Sequence, residues 1–307
     1  FELIGPSVLA LACLKNGLLA TTYALVYSGA TRCHRNATLG ALAAGSLVFL
    51  PQILWESQRE LTHSVLAVTL CAGCWRLFLI APNRVSWGHR LALGGLAGLA
   101  LLAKYNAACF LVGLGVAAVV DPGRRRGLHH PRAWFPAVVA IAVALPHGIW
   151  ALDHQEWVLA SVDKFEFAPE TSPMTARARG ALSLVEATVQ FLGLWFAVGL
   201  GFWAVTRLRP APPRSQMPTT LPDAPSPLWI VLGSMGSIAL VILLSGATQV
   251  KDCWLQPGLF LVPIWGITRM RYALTPTRTR RLFLCMASCA LAALIATHLN
   301  FRCGGWN

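Results

Sequence analysis

The chain has 307 residues, of which 56% are hydrophobic and 12% charged, where an ordinary soluble domain carries roughly 25% charged residues. Its apolar residues come in blocks of about 17 to 25, the length that crosses roughly 30 Å of hydrocarbon as a helix, so composition excludes a soluble globular protein and predicts a polytopic helical membrane protein. The formal net charge of +13 falls in short loops between the blocks, where topology signals belong, and no soluble basic domain is present to carry nucleic-acid binding.

In chain order the expected spans are residues 3–28, 37–55, 64–81, 91–120, 133–150, 181–206, 228–247, 255–270 and 282–299. No alternating ten-residue pattern of the outer-membrane barrel type occurs, and open sheet edges cannot face lipid. The expected fold is therefore all-α, a transmembrane helix bundle of about eight full spans plus a hairpin of two short helices.

The hairpin follows from charge. The loops holding Arg32, His34 and Arg35, then Arg84, His89 and Arg90, then Arg124, Arg125, Arg126 and Arg132 are basic and should all be cytoplasmic, as should Arg207, Arg209, Arg214, Arg278, Arg280 and Arg281. The loops at 56–63, 153–180 and 248–254 are mixed or acidic and belong outside. The pattern is consistent only if the apolar run 91–120 enters and leaves on one side. That run is interrupted once, by Lys104, Tyr105 and Asn106, which form the expected turn. An ammonium inside hydrocarbon is costly and marks a functional site by default. Broken helices at that depth need protein or a wet cavity around them, so a polar pocket opening outward is implied. The alternative is one long tilted helix with Lys104 snorkelling along it.

The remaining features are fewer. Residues 209–227 contain seven prolines with Ser and Thr and read as an extended cytoplasmic linker. It separates an N-terminal transmembrane core, 1–208, from C-terminal transmembrane helices, 228–307. Gly94 and Gly98 form a small-xxx-small pair that lets helices approach closely. Cys71 and Cys74 lie in an apolar span without a second such pair and read as packing residues. By this topology Phe1 lies outside and is not a methionine, so an earlier span or a cleaved signal is expected before it.

Four segments, in order, resemble family 39 glycosyltransferases of the C-type superfamily. The phrase from Gly94 through Lys104-Tyr105-Asn106 looks like that family's "GLALGLALLTKY" segment. Glu60-Leu61-Thr62-His63-Ser64-Val65-Leu66 is similar to the segment after its second luminal loop. Leu145-Pro146-His147-Gly148-Ile149-Trp150 resembles its "PhliWn" helix end, and Lys251-Asp252-Cys253-Trp254-Leu255-Gln256-Pro257 its late "k-rWl-P" element. The resemblance implies a multi-pass enzyme of the bacterial inner (plasma) membrane. Such an enzyme takes a sugar from a polyprenyl-phosphate donor and transfers it, with inversion, to an envelope glycan, lipid or protein acceptor on the outer face. Relatives include aminoarabinose transferases, lipopolysaccharide-core sugar transferases and protein O-mannosyltransferases. In that family the catalytic carboxylate follows the first helix, so the general base is expected upstream of Phe1. Many relatives carry an acid where this chain has Ser64.

The chemistry gives the polar residues their expected roles. A polyprenyl-phosphate leaving group gains negative charge as the glycosidic bond breaks, and a cation fixed in a dry cavity stabilises it far better than one in water. Lys104, Lys251 and His63 are the candidates for donor phosphate binding. Tyr105, Asn106, Glu60, Asp153, His154, Asp252 and Trp254 are the candidates for the substrate pocket. Lys251 and Asp252 would also make an ordinary interfacial ion pair, and Asp153 with His154 a solvated capping loop. No cofactor is implied, and no ligand cluster has metal-site spacing. A flippase or transporter of lipid-linked sugars is the competing class, but it should show paired broken helices in two matching halves, and the sequence displays one break.

Overall fold

The computed structural model describes residues 8–59, 63–80, 84–156, 172–207 and 226–302, and no strand occurs among them. The principal helices are α1 (Val8–His34), α2 (Ala37–Gly45), α3 (His63–Phe78), α4 (Trp87–Ala103), α5 (Ala107–Val120), α6 (Pro122–Gly127), α7 (Phe135–Asp153), α8 (Pro173–Arg207), α9 (Pro227–Ser245), α10 (Gln256–Leu259), α11 (Val262–Met270) and α12 (Pro276–Arg302). Side-chain oxygens start several of them: Asn36, Ser86, Asp121 and Ser226 each accept a first-turn backbone N–H, satisfying donors that have no partner inside the helix.

The protein is an all-α, multi-pass integral membrane protein. Five described helices are long and apolar enough to cross a membrane, over Leu9–His34, Phe135–Asp153, Pro173–Ala204, Pro227–Ser245 and Pro276–Leu299. Their outward faces carry Leu145, Ile141, Leu244 and Leu294, all exposed, as lipid-facing positions should be. The eight full spans expected from sequence do not all appear as long helices. The run 37–55 splits into α2, a tight turn at Ser46–Phe49 and a wide turn at Gln52–Glu56. The run 255–270 likewise splits into α10 and α11. Proline accounts for both: Pro51 stands between the two turns of the first run, while Pro257 and Pro263 stand in the first turns of α10 and α11, and none of them can continue a preceding helix. Of the linker 209–227, positions 209–225 lie outside the described residues, Ser226 caps α9, and Pro227 is the first residue of that helix.

The core is built around Trp75, Phe49, Phe110, Phe191 and Phe260, all fully buried. Cys71 and Cys74 sit in it as small packing residues. Between α1 and α3 the Thr22 and Thr69 hydroxyls hydrogen-bond at 2.8 Å, an interhelical polar contact that a bundle lacking a hydrophobic drive between helices uses as glue.

Helices α4 and α5 form the expected hairpin. Lys104, at the turn, reaches Ser64 at the start of α3. At the opposite end Phe78 of α3, Arg90 of α4 and Arg124, just beyond α5, line one cavity, and Arg124 Nη2 donates to the Ile80 carbonyl at 3.1 Å. Both arms therefore have their far ends beside the end of α3. With 17 and 14 residues the arms reach about 26 and 21 Å. They touch each other little: α4 lies between α3 and α7, while α5 packs along α9. The pair Gly94 and Gly98 is where α4 meets α7, since a side chain at either position would run into Pro136, Val139, Ala140 or Val143.

Candidate functional site

Three irregular segments meet at one end of the bundle. In the first, Leu50 is extended (φ −100°, ψ 107°) because a residue before proline is disfavoured from the α region, and Gln52, buried, opens the next turn. In the second, Lys104 is extended (φ −163°, ψ 124°) and ends α4 without a glycine or proline. In the third, Gly246 ends α9 in the left-handed region (φ 70°), which glycine adopts at little cost. The chain then runs without helix to a turn at Asp252–Trp254.

Side chains lock these segments together. Lys104 Nζ donates to Ser64 Oγ and to the Cys253 carbonyl, each at 2.9 Å. Asn106 Nδ2 donates to the Trp254 carbonyl at 2.5 Å. Gln52 Nε2 donates to Asp252 Oδ2 at 2.5 Å, and the Cys253 N–H donates to Asp252 Oδ1 at 2.8 Å. From α8, Ser183 Oγ accepts the Val250 N–H at 2.9 Å. Non-helical backbone at membrane depth must find partners in protein or water, and here Lys104 and Asn106 supply them for two consecutive carbonyls.

Two helix N-termini and one ammonium lie together here, with the Asp252 carboxylate in the adjoining segment. Helices α3 and α5 both begin at Lys104, at His63–Ser64 and at Ala107. Each helix N-terminus carries roughly half a positive charge, and broken helices use such ends to hold anionic groups. The half-buried Lys104 ammonium adds a full charge at the same point.

A file of rings leads away from Lys104. The Tyr105 hydroxyl and His147 Nε2 share a hydrogen bond at 2.6 Å. The rings stack in sequence, Tyr105 on His147 at 5.8 Å, His147 on Trp150 at 5.5 Å and Trp150 on His154 at 4.7 Å. The three-residue spacing of His147 and Trp150 puts them on one face of α7, and His154, the residue just past its end, continues the file. Among the described residues no three of His, Cys, Asp and Glu gather as a metal site would need.

Residues 1–150 match the family model for dolichyl-phosphate-mannose-protein mannosyltransferase. Over 274 residues, 89% of this chain and 54% of the relative, the sequence is 32% identical to the lipopolysaccharide core galacturonosyltransferase RgtB of Rhizobium johnstonii. These matches agree with the resemblance to family 39 glycosyltransferases of the C-type superfamily that the sequence motifs carry. RgtA of the same organism, also a lipopolysaccharide core galacturonosyltransferase, is 25% identical over 270 residues, 88% of this chain and 53% of the relative. The fold is similar to that of ArnT from Cupriavidus metallidurans, in a crystal structure described as bound to undecaprenyl phosphate. The TM-score is 0.59 at 15% identity, covering 97% of this chain and 52% of ArnT. The chain thus spans about half the length of the relatives it matches.

The motifs that carry the family 39 resemblance supply most of the site. Lys104 and Asn106 hydrogen-bond the Cys253 and Trp254 carbonyls, Asp252 in the same turn is held by Gln52, and His63 opens α3 one residue before Ser64. Tyr105 and His154 are the two ends of the ring file, and Asp153 is the exposed last residue of α7. Lys251 is exposed at the start of the turn, and the Asp252 carboxylate receives Gln52 in place of the ion pair suggested by their adjacency. Glu60 lies outside the described residues. Gln52, Ser64 as a ligand of lysine, and His147 were not expected to take part. Gln52 had one signal, a polar residue directly after a proline inside an apolar run.

Proposed function

We propose that this chain forms part of a bacterial inner-membrane glycosyltransferase that moves a sugar from a polyprenyl-phosphate donor to an envelope acceptor on the outer face, with inversion. The observation that carries this reading is Lys104: an ammonium held at a helix break, beside the N-termini of α3 and α5, by Ser64 and the Cys253 carbonyl. An ammonium beside two helix N-termini is the kind of arrangement that attracts a phosphate. Relatives that act on the lipopolysaccharide core, and the undecaprenyl phosphate of the ArnT structure, support a lipid-linked donor and an envelope acceptor.

In this reading the Lys104 end of the bundle faces outward, and the basic loops face the cytoplasm. Lys104, with Lys251 and His63, holds the donor phosphate. The anomeric carbon–oxygen bond breaks toward that phosphate, and the ammonium and helix ends stabilise the growing charge. The acceptor oxygen or nitrogen forms the new bond and yields its proton to a general base. Tyr105, Asn106, Asp153, His154, Asp252 and Trp254 are the residues proposed to line the substrate pocket, with Glu60 assigned there by sequence alone. Asp252 is oriented there by Gln52 and by the Cys253 N–H.

The test is sugar transfer from a lipid donor by the full-length protein carrying Lys104→Met. Loss of one preorganised stabilising group lowers turnover by about 100- to 1000-fold, in a variant that still elutes as a single folded species. Unchanged turnover would remove Lys104 from the donor site and the reading with it.

A further inference from the structure

At the basic end of the bundle, far from Lys104, lies a cavity of about 730 Å³. Its rim carries Arg90 and Arg132, and Arg124 forms part of its wall, while Phe78, Leu93 and Pro136 make apolar surface. The positive charge there is concentrated and poorly matched. Asp121 is the single carboxylate in the sequence between Glu60 and Asp153, and it stands 3.9 Å from Arg124 Nε. Arg124 is 11% exposed, its guanidinium lies 4.2 Å over the Phe78 ring, and its Nε is buried without a hydrogen bond. Loops that signal topology need only carry cations into water. Here one cation is withdrawn from water and two are poised around an opening.

The surroundings place the cavity at the membrane surface. Arg90 and Arg132 both lie over the exposed Trp87 ring, at 5.3 and 5.9 Å, and Trp87 packs edge-on against Phe135 at 5.1 Å. Tryptophan marks the level of the lipid headgroups. Arginine at that level, above an apolar wall, presents a planar fork that matches a phosphate. A free phosphate would occupy the rim and leave the wall wet, whereas a phospholipid satisfies both.

We propose that this cavity binds an anionic phospholipid of the leaflet on the basic end, its phosphate on Arg90 and Arg132 and an acyl chain against Phe78 and Leu93. The proposal stands independently of the transfer reaction, which lies at the other end of the bundle. The experiment measures phosphatidylglycerol retained by the detergent-purified full-length protein, by native mass spectrometry, with Arg90→Gln/Arg132→Gln as the variant and Arg280→Gln/Arg281→Gln as the control. Each basic residue near an anionic surface contributes about a fivefold factor, so the variant should bind roughly 25-fold more weakly while the control binds as wild type. Phosphatidylcholine and glycerol 3-phosphate should fail to displace the lipid. Equal retention by the variant and wild type would overturn the site, and displacement by glycerol 3-phosphate would overturn the lipid in favour of a soluble anion. Should the double variant not fold, Arg132→Glu, at an exposed loop position, decides the same question: retention equal to wild type refutes the site.

Discussion

Adding one methyl group at Gly98 should separate two helices that the site depends on. A Cβ there would lie 2.6 Å from Val143 Cβ and 2.8 Å from the Ala140 carbonyl, and carbon atoms prefer about 3.5–4.0 Å. Helices α4 and α7 must then part by roughly 1 Å, an overpacking that costs about 1–3 kcal/mol. Gly95, three positions earlier on another face, has nothing within 4 Å of its Cβ position. Both changes gain the same helix propensity, up to about 1 kcal/mol, so that contribution cancels between Gly98→Ala and Gly95→Ala. The difference left is the steric cost, worth roughly 2–10 °C in melting temperature. Heating the full-length protein in detergent and measuring the monodisperse fraction by size exclusion gives this difference directly. Because α7 carries His147, whose imidazole meets the Tyr105 hydroxyl, Gly98→Ala should also lower transfer activity below that of Gly95→Ala. Equal stability of the two variants would mean that α4 does not cross α7 at Gly98.

Gln52→Leu removes the donor to Asp252 Oδ2. Hydrogen bonds to charged groups are worth about 1.5–3 kcal/mol, so kcat/KM for sugar transfer should fall roughly 10- to 100-fold in a protein that still elutes as folded; unchanged kcat/KM would leave the pair a purely structural contact. In a variant lacking its native cysteines, single cysteines replacing Arg84 and Arg125 should react with an impermeant thiol reagent from the same side of the membrane, and one replacing Lys251 from the other. Labelling of positions 125 and 251 from one side would convert the α4–α5 hairpin into a single crossing.

The hairpin was legible in the sequence because two independent signals agreed. Lys104, Tyr105 and Asn106 interrupt an apolar run, and arginines flank that run on both sides; a continuous crossing would contradict the second signal. The segment from Gly246 to Trp254 was legible too, as the loop 248–254 between spans, whereas the breaks at Pro51 and within 255–270 were hidden inside runs that average as apolar. Hydropathy weighs how greasy 37–55 and 255–270 are, and does not register that Pro51, Pro257 and Pro263 deny those runs a continuous helix. The partner of Asp252 was hidden for a different reason. Lys251 is its neighbour in sequence, but Gln52, 200 positions away, is its neighbour in space, and only the fold of the three segments brings them together.

In the proposed reading Lys104 has two tasks of different size. Its bond to the Cys253 carbonyl ties the turn to the segment after α9, and a hydrogen bond to a charged group is worth about 1.5–3 kcal/mol. Its charge, if a phosphate leaving group develops beside it, lowers the barrier by about 3–4 kcal/mol. The first contributes to stability whether or not substrate is present. The second appears only in turnover. A Lys104→Met protein that loses a few degrees of stability yet transfers sugar at the wild-type rate would have lost only the first. Only a loss of transfer in protein that remains folded at the assay temperature assigns the ammonium to the chemistry.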